Sequence, residues 1–512
     1  MGPQPKLFSL RASLLKFILT TMKIHFSKVM KDKAADVRQL GRRLGCVASA
    51  LLLSTAVFDS VKADGIGFDP AIKPGQIFVG GLRGIPAKQY TYVYLKEGES
   101  LSYQIESAVG NSSTNFIAYS FYSPQGKVGT TETISGTDGA AHTGSITATA
   151  QTAGIWTIEL ILTGTLNTWR YDFNAVSDAS DPAGSRIGGR VYMEILNLTQ
   201  GTTASPVDIP LYLHTPSGHK YDVVFKGYNG ISSRIASDQF GITSKDDCGV
   251  SVYRSAEAAD LGIRDVNLPT CGVQNKLFFS ASDPALPASA PRWDTVLDQM
   301  TSEWLNPALS GPVVTELAYA SAGSGTNSLA GDFTLKISDH IGTATLQLDL
   351  DNDGVYGGSN DRSIPFLVAN ANTITVAFDG LGASGSPLPA GSTIKAKVLV
   401  DKTGEVHFTM LDVELLAGVK ITRTTGDPAN ATLLYWNDTL LTDAGRTSVT
   451  PQKNGTNGVD SNSATGVHGW SGNGSNEWGN DRMIDNWTYA SAAATQEITV
   501  ENCAANAGTI SR

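Results

Sequence analysis

Thr345-Leu346-Gln347-Leu348-Asp349-Leu350-Asp351-Asn352-Asp353-Gly354-Val355-Tyr356, with Asp361 shortly after, carries two signals in one stretch. Residues 345–348 have a strand pattern. Carboxylates then recur at alternate positions and a glycine follows, which is how a short loop wraps oxygen ligands around a hard cation. A strand running into such a loop predicts a calcium-clamped β module, not a helical calcium sensor. The expected ligands are Asp349, Asp351 and Asp353, the Val355 carbonyl, and Asp361. The alternative is a solvated Asp-Asn-Gly turn that needs no metal.

Strand patterns extend outward from this loop over most of the chain. Tyr90, Tyr92 and Tyr94 alternate with Thr91 and Val93, and Leu101-Ser102-Tyr103-Gln104-Ile105 follows the Gly98 turn. Gly154-Ile155-Trp156-Thr157-Ile158-Glu159-Leu160 has the period of two of a half-buried strand. Ser123-Pro124-Gln125-Gly126 and Thr215-Pro216-Ser217-Gly218 place Pro second and Gly fourth, the chemistry of a tight turn. The expected fold is mainly β: tandem β-sandwich domains of jelly-roll or Ig-like kind. Their expected bounds are 64–176, 186–290 and 312–490, with 491–512 opening a further segment or tail. The polar run Ser177–Ser185 reads as a linker. One short inter-domain helix is expected within 291–311, because Trp293, Val296, Leu297, Met300 and Trp304 recur at helical spacing after Asp294.

Residues 1–63 read as a signal peptide with an N-terminal extension. Arg42-Arg43 precede an uncharged stretch from Leu44 to Phe58, and Val61-Lys62-Ala63 places small residues at a cleavage site. That stretch is too short for a comfortable membrane span, and an uncleaved signal anchor is the alternative. The expected location is outside the cytoplasm, secreted or on the cell surface. Residues 1–63 hold 11 of the 38 Lys and Arg and 3 of the 48 Asp and Glu, which leaves 27 basic against 45 acidic residues and a net charge of −18. Such a balance argues against nucleic acid and anionic membrane as partners and suits divalent cations. Cys248 and Cys271 flank a loop-rich segment and are expected to form a disulfide in an oxidising compartment, leaving Cys503 over.

Several pieces carry a family resemblance. Tyr94-Leu95-Lys96-Glu97-Gly98-Glu99-Ser100-Leu101, the Ser123–Gly126 turn and Ala153-Gly154-Ile155-Trp156 make the first unit similar to bacterial prepeptidase-C-terminal-like sandwich domains. The second and third units resemble modules of large secreted or surface proteins of Gram-negative bacteria, through Gly189-Arg190-Val191-Tyr192, Gly404–Phe408, Leu411–Glu414 and Gly479–Tyr489. Phe378-Asp379-Gly380 and Gly385-Ser386-Pro387-Leu388-Pro389-Ala390-Gly391 are similar to the signature of flagellar-hook-cap Ig-like repeats, with Phe378 in place of the usual Trp. The resemblance implies an adhesin-like, non-catalytic module that continues into further repeat domains, including serine-aspartate-repeat types. Its expected partners are glycans or other surface proteins.

Other candidate sites carry less. His214 and His219 flank a turn and lack a third metal ligand. Asn360 occupies the position where an EF-hand loop places its bidentate Glu, which leaves Asp361 to substitute. Glu405 and His407 share one strand face, and Asp412 and Glu414 another, a pair of acidic groups that glycoside hydrolysis could use. Tyr435-Trp436, Trp470, Trp478, Trp487 and Tyr489 either stack on sugars or pack a sandwich rim. The chain has no His-Glu-x-x-His, no phosphate-binding Gly-Lys-Ser/Thr loop, and no Gly-x-Ser-x-Gly, since Asn473 breaks Gly469-Trp470-Ser471-Gly472. No catalytic residue is nominated. The expected function is an exported structural or adhesive cell-surface module stabilised by calcium, the alternative a secreted carbohydrate-binding or carbohydrate-processing protein.

Overall fold

The period-two stretches form the strands they predict, and their two faces enter different cores. In Gly154–Thr163, Trp156, Ile158 and Leu160 face one core while Ile155 faces another. The paired strand Ala87–Leu95 sends Val93 and Leu95 to the first core and Tyr92 to the second. Strands buried on both faces lie at the centre of a layered structure. The computed structural model describes residues 79–80 and, short internal stretches apart, 87–501. The expected signal peptide, Cys248 and Cys503 lie outside the described residues. Among the described residues every regular element is a strand, and no helix is long and apolar enough to cross a membrane.

The largest sheet has eleven strands. From one edge it runs Gln299–Trp304, Ser289–Asp294, Gly154–Thr163, Ala87–Leu95, Val191–Met193, Lys276–Phe278, Val207–His214, Lys220–Tyr228 and Gly418–Arg423, with Phe116–Ser123 and Gly126–Ser135 attached at Gly154–Thr163. Hydrogen-bonded pairing therefore crosses the expected domain bounds: Tyr192 pairs with Tyr92, and Tyr221 with Arg423. The polar stretch 177–185 is not extended. Ser185 Oγ donates to the Asp178 and Asp181 carbonyls at 2.9 and 2.8 Å, which folds the segment on itself.

Residues 291–311, expected to hold a helix, form a β-hairpin instead. Ser289–Asp294 and Gln299–Trp304 pair in register, with Trp293 opposite Met300. The Asp294 carboxylate accepts the Val296 and Leu297 amides at 2.8 and 2.9 Å. An Asp at that position caps a helix N-terminus or closes a tight turn with the same bonds. Tertiary pairing decides, because Arg292 pairs with Ile155 of the sheet. Val296 and Leu297 then project from the turn, 86% and 61% exposed, while Trp293 lies against Gly126 and Trp304 under Lys276, so the stripe forms no single packed face. The hairpin covers a buried charge network: Lys276, fully buried, lies 3.0 Å from Glu303 and 3.5 Å from Glu194, over the Trp304 ring, while Arg292 closes on both glutamates.

Two long strands tie the fold together. Thr393–Leu411 and Arg482–Glu501 pair from Thr393↔Glu501 to Leu411↔Met483. Their outer half, with Ile394, Ala396, Val398 and Val500, packs in a core with Phe333, Leu335 and Leu346. Their inner half, with Val406, Phe408, Met410 and Ile484, packs in the large core that begins at Val93. Residues 312–490 thus feed two cores, and the strand through residue 491 runs unbroken. The register shifts between Val400 and Lys402 and between Thr403 and Val406, where the ribbon passes from one core to the other. Gly404 sits there at a φ of 58°, and a Cβ on it would meet the His219 ring at 2.3 Å. Only glycine satisfies both the left-handed backbone and the close approach.

Candidate functional site

The acidic loop connects Gly342–Asp349 to Arg362–Val368, the outer pair of the nine-stranded sheet. Asn352 and Gly354 take left-handed φ values of 57° and 85°, which curl the chain after Asp351. Carboxylate oxygens of Asp349, Asp351 and Asp353 all lie within 4.8 Å of one another. Oxygens bound to one calcium at about 2.4 Å can be at most about 4.8 Å apart, so the three fit a single ion. Asp349 is buried and accepts the Asp353 and Gly354 amides at 3.1 and 2.9 Å. Asp361 lies outside that trio, and its oxygens accept the Leu350 and Gly358 amides at 3.1 and 2.7 Å. Val355 donates its amide to Asp353, and its side chain is exposed. Lys395 pairs with Asp349 across the ladder and brings a competing cation near Gly354.

A second constellation lies where the ribbon changes cores. His407, fully buried, places Nδ1 3.0 Å from both Asp485 oxygens and Nε2 3.7 Å from Glu405 Oε1. Burial pushes the imidazole down, but Asp485 and then Glu405 outweigh it and raise its pKa to about 10. Two carboxylates beside one buried ring favour its protonated form. Burial drives Glu405 up, and His407 more than reverses this, holding it below the usual carboxylate range. Burial drives Asp485 up, with His407 and the Ile242 amide drawing it back. Tyr253 donates to Glu405 Oε1 at 3.0 Å, and Trp487 stacks on His407. Strand parity places Glu405 beside His407 from the sequence; Asp485 and Tyr253 carry no local signal that joins them to the pair.

Glu405 also forms part of the wall of a cleft of about 180 Å³. One side is the Thr215–Ser217 turn of the large sheet, the other the Asp339–Ile341 turn between strands of the smaller core. The floor is the bulge at Thr403–Glu405.

The remaining expected sites resolve as structure. His214 and His219 are buried and bind separately, His214 Nε2 to Ser282 Oγ at 2.8 Å and His219 Nδ1 to Ser217 Oγ at 3.0 Å. Burial lowers both to about 4. Asp412 accepts the Asp481 amide at 3.0 Å, and Glu414 is buried near Gly230, so neither faces Glu405 across a groove. Trp436, Trp470, Trp478 and Trp487 are all buried, and Trp436 stacks on His468. Large aromatics supply apolar area to a core more readily than they stay in water, and here they do so. Cys271 Sγ lies 3.4 Å from Thr243 Oγ1; its expected partner Cys248 is outside the described residues.

No family model matches the chain, and no curated protein matches it. Among solved structures, dimeric latent PorU from Porphyromonas gingivalis matches over 64% of this chain and 32% of that chain, at 10% identity and a TM-score of 0.16. The chain spans about a third of that protein's length, and so low a score carries no argument.

Proposed function

We propose that the chain is an exported, non-catalytic structural or adhesive module of the cell surface, stabilised by calcium at Asp349, Asp351 and Asp353. The observation that carries the reading is the convergence of those three carboxylates within 4.8 Å on a loop that joins two strands of the ribbon's own sheet. A cation there would offset the repulsion of clustered charge and fix the end of Gly342–Asp349, which pairs directly with Thr393–Leu411. Asp361 supports the loop from behind, and a Cys248–Cys271 disulfide would close a second loop. The two ribbon strands enter both cores, which suits a protein that transmits load and does not open and close. Of the aromatic set behind the carbohydrate alternative, Trp436, Trp470, Trp478 and Trp487 are buried, and Tyr435 and Tyr489 are half-buried and stacked on each other.

The test is protease treatment of intact cells, followed by blotting with an antibody to residues 64–512. Loss of the band with cytoplasmic markers intact is expected. A band protected until the cells are lysed would contradict export to the surface.

A further inference from the structure

We propose that the cleft between the Thr215–Ser217 and Asp339–Ile341 turns is a binding site for a primary ammonium group, carried by a small free amine or by a lysine side chain of a partner protein. It uses none of the residues of the acidic loop, so this inference and the calcium reading can fail separately.

The first observation is Glu405, which lines the cleft and is 5% exposed. Its Oε1 accepts from Tyr253 and lies beside His407. Oε2 accepts no hydrogen bond from the described residues, yet it is not sealed from solvent. One oxygen of a fixed, ionised carboxylate is thus left for a donor that enters from the cleft.

The second observation is a pair of amides in the same lining. Gln239 is 8% exposed and Asn275 2%. Asn275 spends its amide nitrogen on Ser237 Oγ at 2.9 Å, and its Oδ1 accepts nothing from the described residues. The Gln239 side chain makes no hydrogen bond to them, and neither amide oxygen is sealed from solvent. Asp339 adds a second carboxylate to the lining, exposed and on a left-handed turn with a φ of 54°.

The ligand class follows from this set of acceptors. The lining carries two carboxylates and no Lys or Arg. Burial holds the His340 imidazole below its ordinary value, so it adds no charge at neutral pH. Behind the wall His407 and Lys402 act on Glu405, with Asp485 and Asp401 close by, and four carboxylates against two cations leave the cleft negative. Such a field favours a cation. A metal ion needs converging ligand atoms, and among the described residues the group of three acidic side chains that converges is the acidic loop. A guanidinium pairs best with both oxygens of a carboxylate, and Tyr253 has taken one. An ammonium carries three donors and no acceptor, which one free carboxylate oxygen and two amide oxygens answer. Pro216 and Ile341 give an apolar surface for its carbon chain, and a volume of about 180 Å³ admits a short chain.

The test uses the whole chain, with calorimetry and saturation-transfer NMR against methylammonium, diaminobutane and Nα-acetyl-lysine methylamide, and against the same lysine derivative acetylated at Nε. At least one amine is expected to bind, and the Nε-acetylated derivative is not. Glu405→Gln keeps the shape and removes the charge, and is expected to weaken binding roughly tenfold. Asp339→Asn changes an exposed group that the fold does not need, and is expected to weaken binding about threefold. Asp351→Ala/Asp353→Ala is expected to bind as the parent does. Tighter binding of the lysine derivative than of diaminobutane assigns the cleft to a partner's side chain, and the reverse to a free amine. Failure of every amine to bind the folded parent, equal binding of the Nε-acetylated derivative, undiminished binding by Asp339→Asn and Glu405→Gln, or loss of binding in the acidic-loop variant would overturn the proposal.

Discussion

Replacing His407 with leucine removes the positive charge that touches both Glu405 and Asp485. All three groups are buried, so water cannot take over the role. Asp485 and Glu405 together outweigh the burial penalty on His407 and raise its pKa from 6.5 to about 10. Stripping one partner from a buried ion pair costs about 3–5 kcal/mol, because an uncompensated charge stays behind. His407→Leu should therefore destabilise the protein by about 3–5 kcal/mol. Urea unfolding read by tryptophan fluorescence is the assay, and Trp487, stacked on His407, is a local reporter. The double variant His407→Leu/Asp485→Leu should recover at least about 1 kcal/mol relative to the sum of the two single changes. The pH dependence has a definite sign. The folded pKa lies above the unfolded value, so the contribution of His407 is complete below about 6.5 and is lost as pH rises through about 10. The gap between parent and His407→Leu should narrow over that window. A loss under about 1 kcal/mol, or a gap that stays constant from pH 6 to 10, would refute a buried imidazolium.

Two further outcomes follow from buried charge elsewhere. Lys276→Met leaves Glu194 and Glu303 with Arg292 alone, and should lower the urea midpoint by the equivalent of about 3 kcal/mol; a change within about 0.5 kcal/mol would show that the network is not desolvated. His214 and His219 are held neutral with pKa values of about 4, so the unfolded chain binds more protons between about 4 and 6.5. Stability should fall as pH drops through that window, and the slope should flatten in His214→Gln/His219→Gln; an unchanged slope would place the acid sensitivity in other groups.

The strands were legible where one period ruled. Tyr90 to Tyr94 and Gly154 to Leu160 alternate, and their faces divide between cores as the alternation requires. The hairpin at Ser289–Trp304 was not legible, because Asp294 with apolar residues three and four apart satisfies a helix start and an Asx turn equally. Long-range pairing with Ile155 chose between them, and no local window contains that partner. The convergence of Asp349, Asp351 and Asp353 was visible because a single loop supplies all three. The cleft was invisible for the opposite reason: Ser217, Asn275, His340 and Glu405 come from four separate parts of the chain. The tryptophans were legible as packing, since large aromatics mostly contribute buried area, and Trp436, Trp470, Trp478 and Trp487 are buried.

The most direct test of the account is calcium titration of the whole chain, with the melting temperature recorded in calcium and in chelator, for the parent and for Asp351→Ala/Asp353→Ala. Extracellular calcium modules bind at about 10⁻⁴–10⁻³ M, and at ten times the dissociation constant linkage supplies about 1.4 kcal/mol. The account expects calcium to raise the melting temperature of the parent and to have no effect on the variant. A parent that melts at the same temperature in calcium and in chelator, or a variant destabilised equally in both, would contradict it.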